Sequence, residues 1–444
     1  MECDMKNILV LGAGLVARPL VNYLLNQSDF NLTVADIVKE KAESLIQRHP
    51  HGTAIQMSVD DEHALSESIN SADIVVSLLP WVHHIKVAQH CLRLNKNLVT
   101  ASYVKPEMQA LDAEARKKDL LFLNEIGVDP GIDHMAAMKV IKSVQRNDGE
   151  IISYYSYCGG LPAMENNSNP FGYKFSWSPV GVMLAANNAG RYLKDGKIVE
   201  IPGDKLFEHY WLIDVPGAAT FEAYVNRDSL PYLKLYNIET AQSMYRGTLR
   251  NIGHCESWNY FKKLGLLNQD KSYDFATTPP SAAIADIVGS DGSNLESDVA
   301  SFLKVPVYSV TIHKMKWLGL FDDNLLPLKT CSVFDMFAHV LQSKLEFEPS
   351  EIDLLVQHHE FIAKYPDNKH QKITATMVDK GIRDGDSSMS RTVSLPVAIA
   401  TKLILNGDIQ VKGVQIPVIP EIYEPVLAEL EAMNIKLIHR HVDL

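Results

Sequence analysis

Residues Ile8 to Ala17 read Ile-Leu-Val-Leu-Gly-Ala-Gly-Leu-Val-Ala, an apolar β-rich run that breaks at two glycines and resumes with helix-compatible residues. A GxGxxA sequence in that setting leaves the chain few options: a strand, a tight turn, then a helix packed close against the strand. Gly12 permits the turn, Gly14 lets the backbone approach a pyrophosphate, and Ala17 allows close helix–strand packing, with the helix N-terminus facing phosphate charge. Alone, the motif is also compatible with a chance glycine turn. Asp36 weighs against chance, because it closes the second predicted strand 22 residues after Gly14, near the ~20-residue offset of an acid that accepts from a ribose 2′-hydroxyl. A carboxylate there repels a 2′-phosphate, and Ile37-Val38-Lys39 supplies no arginine. NAD is therefore expected rather than NADP. Leu78 and Leu79 end the fourth predicted strand at the carboxyl edge of the sheet, where such ligands lie. Asp60, just beyond the third, either helps around the adenine or is a solvated loop acid.

Around this motif, short apolar runs alternate with amphipathic stretches, the pattern of βαβ units on a parallel sheet. Strands are predicted at 8–11, 32–35, 53–57, 74–78, 98–100 and 120–123. Helices are predicted at 16–25, 38–48, 62–69, 84–94 and 106–117, the last opening on Pro106. The expected fold is α/β: a doubly wound parallel sheet over 1–147, then a second α/β domain over 148–254 and 346–386. Helical spacing of Trp258, Phe261 and Leu264, and of Phe334, Phe337 and Leu341, marks 255–345 as a mostly helical insert. A final helix at 387–405, where Pro396 should start a turn or a kink, belongs to a C-terminal segment, 387–444, expected to return to the first domain.

Charge and cysteine usage exclude several classes. Lys plus Arg total 42 against 54 Asp plus Glu, a net charge of −12, which repels a phosphate backbone, so no nucleic-acid partner is expected. Cys3, Cys91, Cys158, Cys255 and Cys331 are scattered without a CxxC pair, against a disulfide framework or a structural zinc site and for a reducing compartment. The opening Met1-Glu2-Cys3-Asp4 is acidic where a signal peptide is basic, and the run 8–11 is far too short to span a bilayer. A cytoplasmic protein without membrane contact is expected. His83-His84 lack a third ligand at a sensible spacing, so no metal is expected.

The turns after strands five and six should border a nicotinamide, and they are dense in polar groups: Thr100-Ala101-Ser102-Tyr103 and Asn124-Glu125-Ile126-Gly127-Val128-Asp129-Pro130-Gly131-Ile132-Asp133-His134. Further on come Tyr157-Cys158-Gly159-Gly160-Leu161-Pro162, Tyr173-Lys174-Phe175-Ser176-Trp177-Ser178-Pro179, Asn226-Arg227-Asp228-Ser229 and Arg246-Gly247-Thr248-Leu249-Arg250. At these segments, taken together, the sequence strongly resembles the saccharopine dehydrogenase family of the glutamate-forming type. The similarity runs from the first strand to the last predicted helix. Met164 and Ser390 stand where that family often has proline and alanine.

The resemblance implies a variant Rossmann domain, a mixed α/β substrate and dimerisation domain, a small helical domain and a homodimer. It implies reversible conversion of saccharopine to glutamate and 2-aminoadipate 6-semialdehyde through an imine, with hydride passing to or from nicotinamide. By the family's motifs, Gly12, Gly14, Leu15, Val16 and Asp36 hold the dinucleotide; by their place at or beyond strand ends, Asp60, Leu78, Leu79, Ala101, Ser102 and Asp129 are further cofactor candidates. Ser102, Tyr103, Asp129, Arg227, Thr248, Leu249 and Arg250 contact saccharopine. Two other readings stay open: a related reductase making a carboxylated polyamine such as carboxynorspermidine, and a non-catalytic dinucleotide sensor.

Elementary chemistry stands beside the resemblance. Saccharopine carries three carboxylates, and arginine forks bind a planar carboxylate bidentately, which suits Arg227 and Arg250. Lys174 either pairs with a carboxylate or covers an apolar wall. Hydride leaves only after the secondary amine is deprotonated, and the imine is then attacked by water, so a proton acceptor is useful; Asp129 and Tyr103 are the candidates. Asp129 is also a candidate cap for the helix beginning near Gly131, and His134 is either a packed neutral imidazole or a proton shuttle.

Overall fold

A computed structural model describes residues 5–444, so Met1 to Asp4, and with them Cys3 and the acidic opening, lie outside the described residues. The chain divides into two compact units: one takes in the chain up to Ile151, Leu235–Asn237 and Ile362–Leu444, and the other takes in Ile152–Lys234 and Ile238–Phe361.

The first unit begins as the alternation predicts: β1 (Lys6–Leu11), α1 (Ala17–Leu25), β2 (Phe30–Asp36), α2 (Lys39–Ile46), β3 (Gly52–Gln56), α3 (Glu62–Ser71), β4 (Ile74–Ser77), α4 (His84–Leu94) and β5 (Asn97–Val99). The stretch expected as one helix breaks at Ala110-Leu111 into α5 (Pro106–Gln109) and α6 (Asp112–Lys117), before β6 (Leu121–Leu123) and α7 (Ile132–Arg146). The strands β1, β4, β5 and β6 are buried almost throughout, as strands covered on both faces must be, whereas β3 has no fully buried residue.

The second unit starts within β7 (Glu150–Pro162) and continues through α8 (Pro179–Ala185), β8 (Gly190–Lys194), β9 (Lys197–Ile201), β10 (Tyr210–Asp214), β11 (Thr220–Val225), α9 (Pro231–Leu235) and β12 (Ser243–Arg250). Then come α10 (His254–Lys263), β13 (Ser272–Asp274), α11 (Pro280–Val288), α12 (Leu295–Leu303), α13 (Val310–Leu318), β14 (Thr330–Ser332), α14 (Val333–Lys344) and β15 (Asp353–Lys364). Its sheet runs β10-β11-β12-β7-β15, with β8 joining β12 and β9. The helical stretch α10–α14 shares one apolar core with that sheet: Trp258, Phe261 and Phe337 lie in the same buried cluster as Tyr245, Leu249 and Phe221.

The chain returns to the first unit through β16 (His370–Lys380), α15 (Ser388–Asn406), β17 (Gly413–Gln415), α16 (Pro420–Ala432) and β18 (Ile438–Asp443). The side chain of Ser387 caps α15, Pro396 lies inside that helix, and Gly407 ends it at φ +82°. α15 packs on α1, β4 and β5. β17 adds a seventh strand, so the parallel sheet runs β17-β6-β5-β4-β1-β2-β3. Among the described residues no helix is long and apolar enough to cross a membrane.

Candidate active site

At the end of β1 the chain turns at Gly12, whose φ of +102° strains any L-residue and whose Cβ, if it had one, would stand 3.2 Å from the Leu78 carbonyl oxygen. The Gly12 N–H donates to the Ala35 carbonyl at 2.8 Å, tying the turn to β2. At Gly14 no protein atom lies within 4 Å of a Cβ position, so packing does not demand glycine there. Ala17 is fully buried under the sheet, Leu15 is exposed, and Val16 precedes α1 as its N-cap. Asp36 does something the motif did not announce. Its Oδ2 accepts from the Ala13 N–H at 2.8 Å and its Oδ1 from the Val38 N–H at 2.9 Å, so both oxygens clasp loop backbone. Asp60 is exposed and 3.6 Å from Lys86.

At the carboxyl edge of β5 and β6 the two catalytic candidates meet: the Tyr103 hydroxyl donates to Asp129 Oδ1 at 3.2 Å. α7 starts after Gly131 without a side-chain cap, and the Gly131 N–H donates to Asp133 Oδ1 at 2.6 Å, in the first turn of the helix. Gly131 has a φ of +148°, and a Cβ there would fall 1.9 Å from the Gly127 carbonyl oxygen, so the turn that presents Asp129 admits only glycine.

Two buried networks at this edge escaped the sequence reading. His134 Nε2 lies 2.8 Å from Glu125 Oε2 and its Nδ1 2.5 Å from the Tyr236 hydroxyl, while Glu125 Oε1 accepts from the Val104 N–H at 2.9 Å. Glu125 thus ties the turn after β6 to the turn that carries Ser102 and Tyr103. His84, dismissed above as a metal ligand, bridges Ser77 and Ser102, with Nδ1 2.9 Å from Ser77 Oγ and Nε2 2.7 Å from Ser102 Oγ. Burial, and secondarily the charge of His83, push its pKa down to about 4.

In the second unit, β12 presents Thr248 and Arg250 on one face and Leu249 on the other. The Leu249 side chain is fully buried in the core, so only its backbone remains for a polar role; its carbonyl accepts from Arg250 Nη1 at 2.8 Å. β7 approaches β12 so closely that a Cβ at Gly159 would stand 2.6 Å from the Leu249 carbonyl oxygen. The Arg250 guanidinium is buried 4.9 Å above the Tyr173 ring. Among the described residues no carboxylate pairs with it, and neither its Nε nor the Tyr173 hydroxyl has a hydrogen-bond partner. Beside it His254, stacked on Tyr224, is held well below its ordinary pKa by burial and then by the charges of Arg250 and Lys314. Lys174 is equally buried but differently used: its Nζ forms an ion pair with Glu351, so its charge is neutralised within the unit. Arg227 sits exposed at φ +60° on the turn after β11, where its carbonyl accepts from the Arg191 N–H at 2.9 Å.

A glycine-turn dinucleotide domain with a polar pair at its carboxyl edge, joined to a second α/β unit holding a buried arginine, defines a class: two-domain oxidoreductases of the Rossmann type. Residues 8–123 match the saccharopine dehydrogenase NADP binding domain and residues 127–435 the saccharopine dehydrogenase C-terminal domain, and the chain belongs to the saccharopine dehydrogenase family. It is 37% identical to the NADP(+)-dependent, L-glutamate-forming saccharopine dehydrogenase of Saccharomyces cerevisiae, over 96% of this chain and 97% of that protein. It is 36% identical to the mitochondrial alpha-aminoadipic semialdehyde synthase of Bos taurus, but spans only 47% of that longer chain. The fold matches that of the apo L-glutamate-forming saccharopine dehydrogenase of Saccharomyces cerevisiae with a TM-score of 0.90, covering 98% of this chain and 100% of the other.

These matches overturn the expected preference for NAD, since the family model that residues 8–123 match is described as an NADP binding domain and the yeast relative is an NADP(+) enzyme. That expectation rested on Asp36, and both Asp36 oxygens accept from loop amides, those of Ala13 and Val38, a role in holding the glycine turn that the residue offset does not reveal.

Proposed function

We propose that this chain oxidises saccharopine to L-glutamate and 2-aminoadipate 6-semialdehyde, reversibly, with NADP as the hydride acceptor. Arg250 is the observation that carries the reading. An unpaired guanidinium inside a protein costs several kcal/mol unless an anion meets it, and a substrate with three carboxylates supplies one. Thr248 on the same face of β12, and the exposed Arg227, are the further carboxylate contacts we propose. Gly12, Gly14, Leu15, Val16, Leu78, Leu79 and Ala101 are proposed to line the dinucleotide, which brings the electron acceptor.

The protein's own part is proton handling. Asp129, held by Tyr103, takes the proton of the secondary amine, so that the nitrogen lone pair can form the C=N bond as hydride leaves the carbon that becomes the aldehyde. Water then adds to that carbon, and the carbinolamine collapses to the aldehyde and the amine of glutamate as a proton returns to nitrogen. A homodimer and a cytoplasmic location complete the proposal, the latter supported by the scattered cysteines without a CxxC pair. Reduced nicotinamide absorbance, followed with purified protein, saccharopine and NADP or NAD, tests the reading. Turnover of saccharopine with NADP is the expected result; turnover only with a carboxylated polyamine would replace it, and dinucleotide binding without turnover would make the chain a sensor.

A further inference from the structure

The buried imidazole of His84 lies between two hydroxyls at the carboxyl edge of neighbouring strands: Ser77 ends β4, and Ser102 follows β5 in the turn that carries Tyr103. The Thr100 hydroxyl is a third, longer neighbour, 3.3 Å from Nε2, and also accepts from the Ser102 N–H at 3.3 Å. A neutral ring has one donor and one acceptor nitrogen. The Ser77 hydroxyl is buried and has no hydrogen-bond partner other than His84 Nδ1 among the described residues. Its proton is satisfied only if Nδ1 is the acceptor, which leaves the proton of the ring on Nε2. Ser102 Oγ, 2.7 Å from Nε2, then receives that proton, and its own O–H is released from the network.

We infer that Ser77 fixes the tautomer of His84, and that His84 is a positioning residue which holds Ser102 Oγ as an acceptor so that the Ser102 hydroxyl donates outward to a ligand oxygen. That oxygen is a carbonyl or carboxylate, from the nicotinamide amide or from the amino-acid substrate; the inference rests on the function proposed above. Burial keeps the ring neutral throughout the range in which such an enzyme works, so the arrangement does not switch with pH.

A double-mutant cycle tests it. His84→Leu and Ser102→Ala should each weaken binding about 3- to 10-fold, the range of one neutral hydrogen bond, and the double variant should be no weaker than Ser102→Ala alone. The loss should fall in the Kd for reduced NADP, measured by fluorescence without substrate, if the nicotinamide amide is the acceptor. It should fall in the saccharopine KM if a substrate carboxylate is. His84→Gln, which retains a donor N–H, should recover most of the loss. Nitrogen-15 shifts of His84 should report the Nε2–H tautomer in the wild type and a mixture in Ser77→Ala. Additive losses, an inert Ser102→Ala or an Nδ1–H ring in the wild type would each overturn the inference. Wild-type protein that fails to turn over saccharopine would sink the function instead, while the ring's tautomer would still be read directly.

Discussion

The two polar regions of this molecule are built on opposite principles. At the carboxyl edge of the first unit, hydrogen bonds of 2.5 to 3.2 Å join Tyr103 to Asp129, Ser77 and Ser102 to His84, and Glu125 and Tyr236 to His134. Around β12 in the second unit, Arg250 Nε and the Tyr173 hydroxyl are buried and unsatisfied by the protein. A satisfied network is pre-organised: it holds groups in place and costs nothing further when a reaction proceeds. An unsatisfied charge is a standing penalty that a ligand removes, so its energy appears in affinity. The Tyr103–Asp129 pair of the first region should therefore act on turnover, and Arg250 of the second on binding.

Lys174 offers the sharpest control within the second region, because it is as buried as Arg250 but already ion-paired with Glu351. Lys174→Met should cost about 3 kcal/mol or more of stability, by leaving Glu351 as an uncompensated charge, and should leave the saccharopine KM unchanged. Denaturant unfolding beside steady-state kinetics checks both. A variant that kept its stability and lost saccharopine affinity would return Lys174 to the substrate.

Next in size is the Tyr103–Asp129 pair. Asp129→Ala should lower kcat on the order of 10²-fold with the NADP Kd little changed, and Tyr103→Phe should act in the same direction. If Asp129→Ala retains full kcat and an unaltered pH profile, the satisfied network is structural, and the contrast between the two regions fails on that side.

Arg250→Met addresses the other side. It should raise the saccharopine KM by roughly ten- to a hundredfold, the loss of a charge-assisted hydrogen bond of about 1.5 to 3 kcal/mol, with the NADP KM unchanged. The melting temperature should stay level or rise, since an unpaired buried charge has been replaced by an apolar chain of similar length. Equal losses for both ligands, accompanied by a lower melting temperature, would show an arginine that holds the fold together rather than one kept for an anion.

How far these regions were legible in the sequence follows from distance along the chain. The glycine turn, the alternation of strands and helices, the bounds of α4 and the start of α7 are local signals, and all appear as expected. The meeting of Tyr103 with Asp129 was approached through position alone, each lying just past a strand end in a parallel sheet. The amides that Asp36 accepts from were not legible, because which amides a carboxylate meets depends on the path of the loop and not on an offset of residues. The pairing of Lys174 with Glu351 and the bond from His134 to Tyr236 join positions 177 and 102 residues apart, and nothing in either segment names its partner. β17, the strand that completes the sheet beside β6, is a three-residue run too short to stand out by pattern. His84 was visible only as half of a His-His pair, and without its two serines it looked like a failed metal site.

The smallest effect concerns what burial in the satisfied network costs when protons are added. The pKa of His84 is lowered from its ordinary value to about 4, chiefly by burial, so the unfolded chain takes up a proton that the folded one refuses as pH falls below about 6.5. Stability from this group is therefore fully present above that value and is lost as pH drops toward 4. Between pH 7 and pH 5 the loss is about 2 kcal/mol. In His84→Gln this part of the pH dependence should disappear: the variant starts less stable at pH 7, through its poorer fit to Ser77 and Ser102, and its unfolding midpoint then declines less steeply than that of the wild type. His254 in the second unit, and His209 and His439, are lowered in the same direction, so a residual slope of the same sign remains in the variant. Parallel curves for wild type and His84→Gln would mean that the ring takes up its proton in the folded state, that water reaches the first network, and that the first region is less closed than its hydrogen bonds make it.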